Sequence, residues 1–96
     1  MTSSLDALEQ LQELSEAMLR AAIEQNWETL ASREAERRAL ADTLPDAANS
    51  QSTSAEQARA RVLIETCLHC DARIRPLVAT RMNELRVLLR ESPAGA

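Results

Sequence analysis

Apolar residues recur at helical spacing in three stretches of this chain, with charged residues filling the positions between them. Plotted at about 100° per residue, Leu8, Leu11, Leu14, Met18, Ala21 and Ala22 share one broad face, while Glu9, Glu13, Glu16, Arg20 and Glu24 lie opposite. The pattern predicts an amphipathic first helix over about residues 5–24, opened by a weak cap at Ser3 with Asp6 and carrying an i,i+4 ion pair from Glu16 to Arg20.

Gln25-Asn26-Trp27 interrupts that pattern. Asn tolerates the left-handed conformation and also caps the start of a helix, so a tight reversal is expected here. A second helix over about residues 27–44 turns Trp27, Leu30, Leu40, Ala41 and Leu44 to one side, with Glu34 and Arg37 in the same arc. Charges placed there need partners: either one interhelical ion pair that sets register, or polar contacts to a bound protein. Trp27 reads as a core anchor that closes the reversal, although an exposed Trp would suit a binding surface. Leu44-Pro45-Asp46 ends the helix, because the residue before proline is pushed out of the helical region.

Residues 45–54 form a polar linker with too little apolar content to offset its ordering entropy, so this is the segment expected to move most. Thr53 with Glu56, or Ser54 with Gln57, supplies a capping box for a third helix over about residues 55–90, which Ser92-Pro93-Ala94-Gly95 stops. Pro76 lies inside it and should kink it. At ~1.5 Å per residue this helix measures ~54 Å against ~30 Å for either of the others. Its far half should therefore outrun any cover within the chain, yet Ile74, Leu77, Val78, Met82, Leu85, Leu88 and Leu89 continue an apolar stripe there. A second copy, a client helix laid along the stripe, or both in competition should cover it. These seven residues are the candidate partner-binding surface, with Glu34, Arg37 and Arg81 as possible polar contacts.

Composition narrows the class without changing that picture. The 96 residues allow one domain, and a core of this size is marginal unless a partner or a second copy completes it. One Gly, one Trp, no Tyr and no Phe, beside abundant Ala, Leu, Arg, Glu and Gln, leave an all-α fold as the only comfortable one. The expected architecture is an antiparallel three-helix hairpin or bundle with a long third helix, dimeric. The net charge is -4 and the eleven basic residues, all Arg, are scattered among acids, which disfavours direct nucleic-acid binding. No apolar run reaches the ~20 residues of a membrane span, Met1-Thr2-Ser3-Ser4 lacks signal-peptide character, and a cytoplasmic location is expected.

Cys67-Leu68-His69-Cys70 is the one stretch that looks like chemistry. Helical spacing turns both cysteines toward the apolar face and puts His69 about 160° from Cys67, on the solvent side, so the three cannot close a metal site within one chain. They read as two small buried hydrophobes and a solvated His, and no cofactor or metal is assigned. No carboxylate pair or nucleophile-base pair implies a pocket, so the chain is not expected to be an enzyme. A small all-α catalytic dimer of the chorismate-mutase kind would need more converging basic groups than Arg37 and Arg81.

Asn26-Trp27-Glu28-Thr29-Leu30, Glu34 and Arg37-Arg38 in the same helix, a polar break, then Asp71-Ala72-Arg73-Ile74 leading to Arg81-Met82-Asn83-Glu84-Leu85 together resemble the FliT family of flagellar type III export chaperones, over about residues 8–89. The resemblance implies a cytoplasmic chaperone that holds an amphipathic terminal segment of the filament-cap protein FliD, prevents its premature assembly and passes it to export apparatus components. Some members also bind the master regulator FlhDC. The chain ends just beyond the third helix, with no room for the fourth helix of longer members, so client holding is the role expected here rather than regulation. The competing reading is a structural or adaptor homodimer that holds no client.

Overall fold

The computed structural model describes residues 4–44 and 53–91. They form three helices, α1 (Ser4–Ile23), α2 (Trp27–Asp42) and α3 (Ser54–Glu91), and no strand among the described residues. The particle measures 63 × 20 × 20 Å, its long axis set by the 38 residues of α3. Both α2 and α3 pack on α1, and the two do not pack on each other along their backbones.

The central place of α1 explains its composition. Ala7, Leu11, Ser15, Met18, Leu19, Ala21 and Ala22 are all buried, an arc far wider than the single stripe of a helix with one neighbour. Met18, Leu19 and Ala22 form the main core cluster with Cys70 and Ile74 of α3, and Trp27, Leu30, Leu77 and Val78 pack around it half-buried. Leu63 is completely buried further back along α3. No residue of α2 is buried, so α2 covers the core with edges of side chains rather than with an inserted stripe.

The reversal between α1 and α2 is a Schellman motif with one residue displaced from expectation. The Asn26 amide donates to the Ala21 carbonyl at 2.8 Å and the Gln25 amide to the Ala22 carbonyl at 3.1 Å, which satisfies the last carbonyls of α1. Such a motif needs one left-handed residue, and Gln25 takes it, with φ 59°. Asn26 instead serves as the N-cap of α2, its side-chain oxygen accepting from the Thr29 amide at 3.2 Å. Asn was the residue better suited to the left-handed position, but it cannot serve both ends of the turn.

Other boundaries differ slightly from those read in the sequence. α2 ends at Asp42 rather than at Leu44, because the Thr43 hydroxyl donates to the Leu40 carbonyl at 2.7 Å and the Thr43 and Leu44 amides bond three residues back, tightening the last turn before Pro45 is reached. α3 starts at Ser54, because Thr53 is its N-cap: the Glu56 amide donates to the Thr53 hydroxyl and the Thr53 amide to the Glu56 carboxylate, both at 3.1 Å. The remainder of the expected linker, 45–52, the Ser3 cap and the stop at 92–95 lie outside the described residues. α3 runs through Pro76 without a break. Pro76 has no amide to donate to the Ala72 carbonyl, and both residues are exposed; the Thr80 hydroxyl donates to the Pro76 carbonyl at 2.9 Å. Glu16 and Arg20, both exposed, do not form the expected ion pair among the described residues.

The helix ends are open to two tests. A left-handed conformation costs an L-residue with a Cβ ~1 kcal/mol that glycine avoids, so Gln25→Gly should stabilise the chain by up to about 1 kcal/mol, raising its melting temperature. The hydrogen bonds from Thr53 hold the Glu56 carboxyl below its ordinary value of 4.5. A carboxyl with a lowered pKa stabilises the fold above its unfolded value and loses that contribution as pH falls through the folded one. Helix content at the start of α3 should therefore decline with acidification below about pH 4.5, and Glu56→Gln should remove this pH dependence in circular dichroism.

Candidate partner-binding surface

The candidate surface divides into a covered root and a bare tip. Ile74 is 6% exposed and belongs to the chain's own core, and Leu77 and Val78 pack half-buried against that core. The far half of α3 is thus less naked than the length arithmetic implied: Trp27 and Leu30, at the start of α2, reach it with their side chains. Beyond Arg81 the cover thins. Leu85 is half-buried, while Met82, Leu88 and Leu89 are 50%, 58% and 74% exposed. At helical spacing these four share one face, in line with Val78 and Ile74 below them.

The three polar candidates have different fates. Glu34 pairs within α2, with Arg38 one turn on. Arg37 reaches across α1: one guanidinium nitrogen donates to the Asp71 carboxylate of α3 at 2.7 Å and to the Ser15 hydroxyl of α1 at 3.0 Å. This is the interhelical ion pair that the position of Arg37 called for, and it ties all three helices at one point. Arg81 lies 5.9 Å from the centre of the Trp27 ring and 3.7 Å from the Glu84 carboxylate. Trp27, half-buried rather than enclosed, offers one face of its ring to that guanidinium, a contact worth ~0.5–1 kcal/mol at an exposed site.

Ser15 and Asp71 are the members of this junction that the helical pattern did not single out. Ser15 is fully buried in the middle of the α1 arc, where a small polar residue among Leu11, Met18 and Leu19 is itself a signal for a polar partner. Asp71 stands at the edge of the α3 apolar arc, next to Cys70. Sequence reasoning also passed over Ile23, Val62, Ile64, Leu68 and Val87, all exposed and none on the stripe of the tip.

Cys70 is buried and His69 exposed, as helical spacing places them, whereas Cys67 is only half-buried rather than enclosed as expected. Burial, then the Glu16 carboxylate, raises the Cys70 thiol above its ordinary range, with smaller contributions from Cys67 and Asp71, so it stays protonated and unreactive at neutral pH. No three His, Cys, Asp or Glu side chains among the described residues stand close enough to hold a metal ion. No helix among the described residues is long and apolar enough to cross a membrane. The tip itself presents apolar residues beside exposed arginines.

The family model described as flagellar protein FliT matches residues 5–95, almost the whole chain. No curated protein and no solved structure matches it.

Arg37 supplies the test of the junction. The Arg37 and Asp71 side chains remain 23% and 31% exposed, so their ion pair alone contributes little, but Arg37→Ala also strips the buried Ser15 hydroxyl of a partner. The expected cost is about 1–3 kcal/mol, a loss of several degrees in melting temperature. Ser15→Ala should cost less, because donor and acceptor are not left buried alone. A double-mutant cycle over Arg37 and Asp71 measures the coupling, and no coupling would mean the junction does not hold the helices.

Proposed function

This chain belongs to the FliT family, and we propose that it acts as a cytoplasmic flagellar export chaperone, holding an amphipathic terminal segment of the filament-cap protein FliD until export. The observation that supports this reading is the bare apolar tip of α3. Met82, Leu88 and Leu89, with the half-buried Leu85 between them, form a stripe continuous with the chain's own core line but largely left in water, and exposed apolar surface of this kind marks a binding site. Met82, Leu85 and Leu89 stand at the i, i+3, i+7 spacing that lets one helix face meet the apolar face of another.

The rest of the molecule fits a holder rather than a catalyst. We read α1 and α2 as an antiparallel hairpin, since only residues 24–26 join them and Arg37 reaches back to Ser15, with α3 laid along α1 in a single domain. This scaffold presents the tip on a helix whose root is fixed by Ile74, Leu77 and Val78. Ile74 then serves the core, and contact with the client falls to the residues beyond it. Arg37 and Glu34 keep partners inside the chain, whereas Arg81 sits at the border between root and tip, where a client could meet it. A second copy of the chain would need the same tip, so a homodimer and the client complex compete for it. Hand-over to export apparatus components would follow release of the tip.

Leu88 and Leu89 are the most exposed anchors, so replacing them should spare the fold. Leu88→Asp with Leu89→Asp is expected to leave helix content unchanged by circular dichroism and to weaken FliD capture at least tenfold, about 1.4 kcal/mol. Capture at wild-type strength by a folded double variant would remove the tip from the proposed site. Sedimentation of the same variant tests the competition: any self-association through the tip should fall together with capture.

A further inference from the structure

We infer that the tip of α3 selects an amphipathic helix of another protein that carries acidic residues along one edge, and disfavours a second copy of this chain. The inference rests on the tip being the docking surface and deepens that reading by giving the partner its charge. Taken from the helix axis, Met82, Leu85, Leu88 and Leu89 centre one face. Arg75, Arg86 and Arg90 succeed one another about 70° to 130° round to one side, with Ala79 among them and Asn83 just beyond, so that edge holds no acid. All three arginines are exposed, and Arg86 and Arg90 have no ion-pair partner among the described residues. On the other side stands Glu84, already engaged with Arg81. The stripe therefore has one basic edge that is unneutralised and one edge that is closed on itself.

A second copy cannot neutralise the basic edge. α1 occupies the same face of α3 nearer its start, packing on Leu63, Cys70 and Ile74, so two tips can meet only with their bodies at opposite ends and their helices antiparallel. In that two-fold arrangement every patch meets its own copy, and each edge faces the identical edge: Arg86 and Arg90 oppose Arg86 and Arg90, and Glu84 opposes Glu84. Like charges then confront each other along the basic edge, and the other edge, where Glu84 is paired with Arg81 within each copy, offers it no free carboxylate. The exposed side of α1 is acidic, with Glu9, Glu13, Glu16 and Glu24, but it has no apolar stripe to fill the tip. A foreign helix is free of the symmetry. Acidic residues four apart on one of its edges match Arg86 and Arg90, which are themselves four apart, while its apolar residues cover Leu85, Leu88 and Leu89.

The test uses the full chain and two synthetic helical peptides with the same leucine stripe, one bearing Glu and the other Lys along one edge. The Glu-edged peptide should bind roughly tenfold more tightly at low salt, an advantage that shrinks as ionic strength rises. Arg86→Glu with Arg90→Glu should reverse the preference. Arg86→Glu alone should increase self-association in sedimentation, since the carboxylate introduced on one copy can then face Arg90 of the other. Equal binding of both peptides would overturn the charge selection while leaving the docking surface in place. If neither peptide binds, the docking surface itself fails. A wild-type dimer at micromolar concentration that dissociates on Leu88→Asp would overturn the discrimination against a second copy.

Discussion

Among the described residues, α1 is the only helix against which both others can bury a face, and most of what distinguishes this molecule follows from that constraint. A helix with 20 residues spans ~30 Å, and it can cover no more than that length of a neighbour. α3 has 38 residues. Side chains of α2 extend the cover a little way, through Trp27 and Leu30, and beyond Arg81 the stripe is exposed except at the half-buried Leu85. Because the backbones of α2 and α3 stay apart and only side chains bridge them, the cross-section is more an open V than a closed triangle, and α2 buries no residue fully.

An open V needs something to fix the angle between its arms, and apolar contact is poor at this because it has no direction. The Arg37 guanidinium supplies direction. Its planar fork reaches over α1 at Ser15, where the side chain is small enough to permit passage, and meets Asp71 on the far arm. Its distances define a register for both arms at once, whereas a leucine could slide by a turn at small cost. At the upper end Arg81 does a similar task more loosely, stacked over Trp27. The net energy of either contact is modest, because both lie partly in solvent.

The helices were legible in the sequence because periodicity and capping are local properties. Thr53 with Glu56 announces the start of α3 within four residues, and the hydrogen bonds that make the cap join those same residues. The choice of Gln25 over Asn26 for the left-handed position was less legible, because it depends on which end of the turn needs the Asn side chain more. The candidate surface was half legible. A helical wheel shows that Ile74 and Leu88 share a stripe, but it cannot show where along that stripe the neighbours stop, which depends on the angle and offset of three helices. Arg37 illustrates the same limit: its place within an apolar arc implied a partner, while the identity of that partner, Asp71 on α3, is a property of the assembled fold.

The division of α3 into root and tip also determines how well the tip can work. An anchor on a fraying helix end would lose part of its binding free energy to ordering on each encounter. Here Ile74, Leu77 and Val78 hold the preceding turns against the core, and the Leu85 side chain is still half-covered, so the tip projects from a fixed base. Its exposed anchors then need ordering over only the last turns, Arg81 to Arg90. Pro76 fits this arrangement. It lies on the exposed side of the covered turns, between Ile74 and Leu77, so the helix keeps its apolar side on the core through the proline and the tip follows from turns that are already held. A stripe that is core up to Val78 and largely exposed beyond Arg81 lets one short scaffold keep its own core intact while its apolar tip stays open to a partner.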